Sequence, residues 1–204
     1  KLYDFPFVRV EALYFTFNIS TAGNSAIYSG KLDGEGIPPD FFTDKNVRKG
    51  FAHAFDAEAY IKEILRGKAT RPAGCMPQEM LGYNPKQAVY QFNPTKAKEY
   101  LQKAWGGDVW NKGFRLAIYY DANNTYRQMA CEILKRGIEA LNPKFKIDIR
   151  GIQWSTYLAE SRAHKLPIFK IGWTADYTDP HNFAYAFLHS KGSYPQRQQF
   201  SYPE

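Results

Sequence analysis

Apolar and polar residues alternate from Ala12 to Asn18, with an apolar side chain at every second position. An alternation with a period of two residues is typical of a strand that buries one face. The next stretch, residues 20–40, is rich in Gly, Ser and Pro, which disfavour regular structure. It is long for an unstructured connection, so it is predicted to be a loop elaboration or a mobile flap.

Helical spacing replaces this alternation in the next part of the chain. Apolar residues there recur every three or four positions, and each series follows a side chain of the kind that caps helix N-termini. The predicted helices begin at Thr43 or Asp44, at Asp56, and at Asn93-Pro94. Before the last of them, residues 71–89 carry repeated Pro and Gly and are predicted to form an ordered loop.

From residue 114 onward, strands and helices alternate regularly. Alternating or continuously apolar runs predict strands at 114–120, 145–152 and 166–173. Helices are predicted at 125–141, after Ser155, and from Asp179-Pro180. A repeat of strand and helix is typical of parallel strands with right-handed crossovers. The sequence therefore predicts an α/β fold with a mainly parallel sheet flanked by helices.

The composition narrows the function classes only slightly. The 204 residues suffice for one domain of good size or for two small ones. The formal net charge is +7, but the basic residues are scattered along the chain, so solvated faces explain them better than a nucleic-acid surface does. No apolar run in the sequence is long enough to cross a membrane as a helix.

Motifs for nucleotide binding and covalent catalysis are absent from the sequence. There is no glycine-rich phosphate loop and no G-x-S-x-G turn. The four histidines lack the spacing of a metal site, so neither a metal nor a cofactor is predicted. Cys75 and Cys131 are far apart in the sequence; a disulfide is one alternative, and two free thiols, which we favour, are the other.

The candidate site is the segment that follows the last predicted strand. Residues Trp173 to Asp176 come just after its carboxyl end, where open α/β sheets bind ligands. Asp179 precedes a proline and is explained as a helix N-cap. From the residues alone, Asp176 is a turn residue, a ligand contact or a catalytic acid. Trp154 also follows a strand, and two tryptophans at neighbouring strand ends predict an apolar pocket wall.

Four segments of the chain carry family motifs in a matching order. They are Asp44–Asp56, Gly67–Pro85, Asn93–Leu101 and Gly172–Phe183. The last one is similar to the pattern G-W-x-[AG]-D-[YN]-x-D-P-x-N-F. Together they resemble the large substrate-binding proteins of bacterial and archaeal ABC importers, in the dipeptide/oligopeptide/nickel class called solute-binding protein family 5. Gly50 replaces a family alanine, and glycine is expected to weaken that helix by about 0.5–1 kcal/mol.

The resemblance implies an organisation larger than the chain. Family members have two lobes, joined by a hinge, that close on a ligand in the cleft between them. Residues 1–204 resemble the second α/β lobe of this periplasmic-binding-protein-like (type II) fold, and the abrupt ends at Lys1 and Glu204 suggest a piece of something longer. Within the lobe, residues 20–40 are a loop elaboration longer than is usual, and residues 193–204 are expected to lead back toward the missing lobe.

The resemblance also implies which residues bind the ligand. Asp176 matches the acid that pairs with the α-amino group of a peptide. The main chain of the preceding residues matches the segment that hydrogen-bonds an extended peptide like an added strand. The remaining expected contacts are the main chain of Trp173, Thr174 and Ala175, side-chain pockets lined by Trp154 and Tyr126, and a carboxylate or water contact from Lys170.

The function implied by the resemblance is solute binding outside the cytoplasm, without catalysis. The expected ligand is a small peptide, and the expected partner is the membrane-embedded permease of an ABC importer. The location is then periplasmic or extracellular, with lipid anchoring as one option, and the full-length protein is expected to be a monomer that binds neither nucleic acid nor a cofactor. The alternatives are a family member that binds an oligosaccharide or another solute, and a glycoside hydrolase that uses Asp176.

Overall fold

Residues 8–200 are described by a computed structural model of the chain. The chain ends, including Lys1 and Glu204, lie outside the described residues. The strands are β1 (Arg9–Phe15), β2 (Phe114–Asp121), β3 (Phe145–Ile152) and β4 (Ile168–Thr174). The helices are α1 (Lys45–Ala54), α2 (Ala57–Ala59), α3 (Pro94–Lys103), α4 (Asp108–Lys112), α5 (Thr125–Glu139), α6 (Trp154–Arg162), α7 (Pro180–Leu188) and α8 (Ser193–Gln198).

The strands form a four-stranded sheet in the order β1-β4-β2-β3. β2 is parallel to both β3 and β4, whereas β1 is antiparallel to β4 at one edge. The prediction of a mainly parallel sheet flanked by helices is therefore confirmed. The strand that alternates in the sequence begins and ends three residues earlier than predicted, since β1 runs from Arg9 to Phe15.

The chain changes direction across the sheet after β3. From β2 it moves outward to β3, and it then returns past β2 to form β4 on the other side. Because both crossovers are right-handed in such folds, α5 and α6 cover opposite faces of the sheet. The connections that leave β2 and β4 diverge, and in open α/β sheets such a divergence marks the ligand crevice at the carboxyl ends of the two strands.

Two apolar layers enclose the sheet, and the residues of β2 alternate between them. Leu116 and Ile118 pack into the larger layer, which α1, α3 and α5 cover. Ala117 and Tyr119 face the smaller layer, which includes Tyr157 of α6. We call these two sides the α5 face and the α6 face. Side chains on the same strand therefore reach different chemical surroundings according to odd or even position.

The long loop of residues 20–40 is packed against the sheet. Ile27 and Ile37 are 3% and 0% exposed, so the loop contributes to the core. The Tyr28 hydroxyl donates to the Asp148 carboxylate on β3, and the guanidinium carbon of Arg115 lies 4.4 Å from the centre of the Tyr28 ring. The loop is thus held by two kinds of contact: its isoleucines are buried in the core, and Tyr28 makes polar contacts with the sheet.

Several helix starts follow the predicted capping chemistry. The side chains of Asp56, Asn93 and Asp179 each accept a hydrogen bond from a main-chain N–H of the helix that follows. The short helix after β3 begins at Trp154 rather than after Ser155, so Trp154 belongs to a helix. The helix that begins after Asn93 ends at Lys103, and Trp105 has a positive φ of 50° in the 3₁₀ segment that follows.

Gly50 is a poor helix former, but it allows two helices to pack closely. A Cβ atom at this position would lie 2.6 Å from Cγ of Leu101 on α3. Helices α1 and α3 therefore approach each other closely at this point, and Leu101 fills the space beside the glycine. The close approach offsets the intrinsic weakness of glycine in a helix.

Candidate functional site

The candidate site lies where β4 separates from β2. The two strands pair at Ile118 with Ile168 and at Tyr119 with Phe169. β4 continues to Thr174, and within residues 8–200 no strand pairs with this continuation on the β2 side. On the other side, β1 pairs with β4 along its whole length. Residues 172–174, which we call the open edge of β4, thus lack a partner strand on the β2 side. The Ala175 N–H donates to the oxygen of Val8, just before β1, and bonding groups alternate along an antiparallel pair, so Gly172 and Thr174 present main-chain groups toward the crevice.

The loop after the open edge contains two carboxylates in different surroundings. Asp179 is the N-cap of α7, and its Oδ1 accepts a hydrogen bond of 2.8 Å from the main-chain N–H of His181. The capping prediction is therefore confirmed. Asp176 is exposed, and it makes no hydrogen bond or ion pair with any other residue in the range 8–200. Its carboxylate is available to a partner from outside the described chain.

Trp173 lies within the open edge, but its side chain and its main chain both contact other parts of the chain. Its indole Nε1 donates to Oδ1 of Asn182 at 2.5 Å, and its ring packs edge-on against Tyr194 at 6.1 Å. The side chain therefore holds α7 and α8 against the α6 face of the sheet. Its main chain pairs with Val10 of β1, and the Ala175 N–H donates to the Val8 oxygen at 3.5 Å. Of the three residues with expected main-chain contacts, Thr174 is therefore the one whose main chain faces the crevice, and it is exposed.

Two exposed aromatic side chains belong to the helices that follow β2 and β3. Tyr126, in the first turn of α5, is 60% exposed, and Trp154, at the start of α6, is 46% exposed. The Trp154 ring stacks on the Tyr157 ring at 5.7 Å with an interplanar angle of 11°. The main-chain oxygen of Tyr126 accepts a hydrogen bond from the Tyr60 hydroxyl at 3.1 Å. Both rings are exposed, although Trp154 is held by its stacking on Tyr157 and Tyr126 by the hydrogen bond to its main chain.

The prediction that Trp154 and Trp173 follow neighbouring strands is wrong. β2 lies between β3 and β4 in the sheet, so the two tryptophans are separated by a strand. Sequence order placed β3 next to β4, whereas the return crossover puts β4 on the far side of β2. The Trp173 ring packs into the core beside α7, and Trp154 alone of the pair is exposed.

Lys170 lies beneath the open edge, on the α5 face of the sheet. It is 3% exposed, and its Nζ donates to Oε2 of Glu11 at 2.6 Å. Burial lowers the pKa of Lys170, and the Glu11 charge only partly opposes this effect. The main-chain oxygen of Lys170 accepts a hydrogen bond from the Tyr157 hydroxyl at 2.9 Å. Lys170 is thus held by groups of the chain itself, on both its main chain and its side chain.

Glu11 and Lys170 belong to a larger set of charges, which we call the charge cluster. Its members are Arg9, Glu11, Asp121, Arg127 and Lys170. Arg127 donates to Oε1 of Glu11 at 2.8 Å and to Oδ1 of Asp121 at 2.8 Å. Burial alone would raise the pKa of Glu11, but Lys170 and Arg127 outweigh it and lower that pKa to about 2. Glu11 is therefore ionised at neutral pH.

Sequence patterns gave no direct sign of the charge cluster, because its members are far apart in the chain. Glu11 lies on β1 and finds its partners on β4 and α5. One local signal was present: Arg127 is a cation in the first turn of a helix, where the helix dipole disfavours positive charge. An unfavourable charge at such a position indicates a nearby acid. Here the acids are Glu11 and Asp121.

The remaining chemistry of the described chain is limited. Residues 8–200 contain no cluster of His, Cys, Asp and Glu side chains that could hold a metal ion. Cys75 and Cys131 are both free, which confirms the favoured alternative, and burial raises the pKa of Cys131 to about 12. No helix in this part of the chain is both long and apolar enough to cross a bilayer.

Comparison with known sequences gives a family match over most of the chain. Residues 4–195 match the family described as "Bacterial extracellular solute-binding proteins, family 5 Middle". The Dipeptide-binding protein of Escherichia coli (strain K12) is 26% identical over 163 residues, which are 78% of this chain and 29% of that protein. The Oligopeptide-binding protein OppA of Bacillus subtilis (strain 168) is 23% identical over 173 residues, which are 82% of this chain and 31% of OppA.

The same fold occurs in solved structures. The ABC transporter-associated periplasmic binding protein DppA from Helicobacter pylori, in complex with the peptide STSA, matches with a TM-score of 0.66 and 22% identity. The match covers 87% of this chain and 29% of DppA. The predicted periplasmic-binding-protein-like fold is therefore confirmed. The chain spans just under a third of the length of the relatives it matches.

Proposed function

The chain belongs to family 5 of the bacterial extracellular solute-binding proteins, and we propose that it is the second lobe of a two-lobe protein that delivers a peptide to an ABC importer. In this proposal residues 20–40 elaborate the lobe, and the chain after α8 leads back to the first lobe. The full-length protein works as a monomer outside the cytoplasm and hands its ligand to the membrane-embedded permease, with or without a lipid anchor.

The open edge of β4 supports an extended peptide as the ligand. An unpaired strand edge offers N–H and C=O groups at the spacing of a peptide main chain, so a peptide adds to it as a further strand. Main-chain contacts of this kind do not depend on the ligand's side chains. In our proposal the main chain of Thr174 and Gly172 supplies these contacts. The contacts expected from Trp173 and Ala175 would need a change in the pairing with β1, because Trp173 pairs with Val10 and the Ala175 N–H donates to Val8.

Asp176 is the observation that carries the proposal. It lies two residues after the open edge, it is exposed, and no residue within 8–200 neutralises it. In a closed cleft with little water, such a carboxylate is unfavourable unless a cation meets it. The α-amino group of a peptide bound along the edge supplies that cation. Asp176 therefore fixes one end of the ligand and its direction.

The side chains of the peptide face the exposed aromatic residues. Tyr126 and Trp154 line the pockets for these side chains in our proposal, on the β2 and β3 side of the crevice. A contact from Lys170 to a carboxylate or a water stays a prediction, and it requires Glu11 to share or release the ammonium group. No catalytic role is proposed for Asp176, because the second acid of the loop, Asp179, is engaged as a helix cap.

The decisive experiment compares free and N-acetylated peptides. Binding to the full-length protein is measured by calorimetry for the wild type and for Asp176→Asn. We expect the substitution to weaken binding of a free-amine peptide by about tenfold or more, since a charge-assisted contact is lost. Acetylation should weaken binding to the wild type by a similar factor and should have little further effect on Asp176→Asn.

The control is Asp40→Asn, an exposed carboxylate on the loop that precedes α1. It should leave peptide affinity unchanged, because this loop follows β1 and leaves the sheet at the end remote from the open edge. Equal affinity of the wild type for free and acetylated peptides would refute the role of Asp176. Binding of free peptides would then have to rest on the main chain alone.

A second candidate ligand is an oligosaccharide or another flat solute. Three aromatic side chains near the crevice favour it: Tyr126, Trp154 and Tyr177 are 60%, 46% and 54% exposed. Exposed rings provide apolar faces on which such solutes can stack. A thermal-shift screen of the full-length protein with peptides and oligosaccharides separates the two candidates, because only a bound ligand raises the melting temperature by mass action.

A further inference from the structure

We propose that Arg127 is a positioning residue of the ligand site: its guanidinium, fixed by Glu11 and Asp121, supports the ring of Trp154 and thereby raises ligand affinity without contacting the ligand. This inference rests on the proposed function, in which Trp154 lines a side-chain pocket. It extends the site inward, to a residue that is 5% exposed and is therefore withdrawn from the crevice.

The guanidinium of Arg127 is fixed at three nitrogens. Its Nε and Nη2 donate to the two oxygens of Glu11 at 3.3 and 2.8 Å, which is the parallel fork typical of an Arg–carboxylate pair. Its Nη1 donates to Oδ1 of Asp121 at 2.8 Å. Glu11 is in turn held by Lys170 at 2.6 Å. This arrangement leaves the guanidinium plane little freedom to rotate.

The fixed guanidinium joins parts of the chain that meet at the crevice. Glu11 lies on β1, Asp121 is the last residue of β2, and Lys170 lies on β4. The guanidinium carbon lies 5.8 Å from the ring centre of Trp154, the first residue after the β3 connection. A cation at this distance from an indole face attracts it, and more strongly where water is excluded. Arg127 thus connects the strands to an exposed ring.

The position of Arg127 is unfavourable for stability in two respects, which argues for a geometric role. It is a cation in the first turn of α5, at the positive end of the helix dipole. It is also buried, so its charge has lost most of its water. An apolar side chain here would avoid both disadvantages, but it would leave Glu11 and Asp121 without this cation. What only an arginine supplies here is a rigid, forked connection between two carboxylates and a ring.

Without that support the Trp154 ring keeps only its stacking on Tyr157 as a ring contact within the described chain. Trp154 is 46% exposed, so much of its surface meets water, and without Arg127 its side chain can adopt other rotamers. A ligand that packs on the ring must then order it on binding, and this ordering weakens affinity. Arg127 supplies the order in advance.

The test is a double-mutant cycle in peptide affinity, measured by calorimetry on the full-length protein. The four proteins are the wild type, Arg127→Lys, Trp154→Ala and the double variant. The peptide used is one whose binding is weakened by Trp154→Ala. We expect Arg127→Lys to weaken its binding about fivefold in the wild-type background, because lysine keeps the charge but loses the fork, and less than about twofold in the Trp154→Ala background.

Equal loss in both backgrounds, or no loss in either, would overturn the inference, because Arg127 would then not act through Trp154. Melting temperatures of the ligand-free variants are recorded in parallel. A purely structural role lowers the melting temperature by the same amount with and without Trp154 and does not couple to affinity. Arg127→Gln repeats the cycle with the charge removed, and a larger coupling than for lysine is expected.

Arg115→Lys is the matched control. Arg115 lies near the start of β2, at the end opposite Asp121, and it pairs with Asp148 at 3.0 Å. The Arg115→Lys substitution should leave peptide affinity unchanged in both backgrounds.

Failure of the proposed function gives a different result. If no peptide binds the wild type, the proposed ligand site is wrong, and the role of Arg127 is wrong with it. If Asp176→Asn behaves as proposed and the cycle shows no coupling, only the role of Arg127 falls.

Discussion

Asp176 lies on the loop after β4 with its carboxylate in solvent, whereas Glu11 lies on β1, beside the same end of β4, with its carboxylate among cations. Both acids lie at the end of the sheet where β4 finishes: Glu11 pairs with Gly172, and Asp176 comes two residues after Thr174. Glu11 contacts Arg9, Arg127 and Lys170. Asp176 contacts no charged partner within residues 8–200.

The comparison separates an acid that serves the fold from an acid that can serve a ligand. Glu11 has exchanged its water for fixed cations and hydrogen-bond donors, so a ligand ammonium would have to displace them. Asp176 keeps its water, which an incoming cation displaces more easily. Proximity to a crevice is therefore a weaker criterion for a ligand contact than the absence of an internal partner.

The largest effect is expected when the partnered acid is removed. Glu11→Gln should lower the free energy of unfolding of the full-length protein at neutral pH by about 3 kcal/mol, the amount that corresponds to a pKa lowered from 4.5 to about 2. Lys170 and Arg127 would remain buried without their shared carboxylate. Chemical denaturation at pH 7 measures the loss.

The pH dependence checks the same assignment. Because the folded-state pKa of Glu11 is lowered, its contribution is complete above the unfolded pKa near 4.5 and is lost as the pH falls toward about 2. The difference in stability between the wild type and Glu11→Gln should therefore shrink over that interval. A difference that stays constant from pH 5 to pH 2 would show that Glu11 does not titrate as proposed.

A smaller effect is expected at Gly172, on the open edge beside Glu11. A Cβ atom at this position would occupy the space of the Glu11 carboxylate. Gly172→Ala should therefore force Glu11 away from its partners and destabilise the protein by about 1–3 kcal/mol. Denaturation in the Glu11→Ala background provides the comparison, since the nearest remaining atom is then Nε of Arg9, at 2.9 Å on a flexible side chain that can move away. An unchanged loss in that background would place the clash elsewhere.

Local features of the fold were predictable from the sequence because their causes are local. Asp56, Asn93 and Asp179 cap helices through hydrogen bonds to N–H groups two or three residues ahead, so short sequence windows contain the whole interaction. Apolar periodicity likewise identified every strand of the sheet, although β1 begins three residues before the predicted start, at Arg9.

The arrangement of the strands was not predictable in the same way. The neighbours of β4 depend on which side of β2 the last crossover returns to, and no short window records that choice. For this reason the two tryptophans were expected on neighbouring strands. The charge cluster was missed for a related reason, since Glu11 and Lys170 meet only after β1 and β4 have paired. The motif around Asp176 was recognised because it is contiguous.

The smallest effects are expected from the two acids of the loop after β4, and here the comparison is sharpest. Asp179→Ala removes an N-cap bond and should destabilise the protein by about 1 kcal/mol. Asp176→Ala removes an exposed side chain without a partner in residues 8–200 and should stay within about 0.5 kcal/mol of the wild type.

Denaturation measures the loss of stability in each variant. Hydrogen exchange at the His181 amide, which donates to the Asp179 carboxylate, reports the loss of the N-cap bond itself. Faster exchange is expected for Asp179→Ala only. If Asp176→Ala destabilised the protein as much as Asp179→Ala, Asp176 would be a structural turn residue, and its distinction from Glu11 would disappear. If instead it leaves stability intact while it weakens peptide binding, the acid without an internal partner is the one reserved for the ligand.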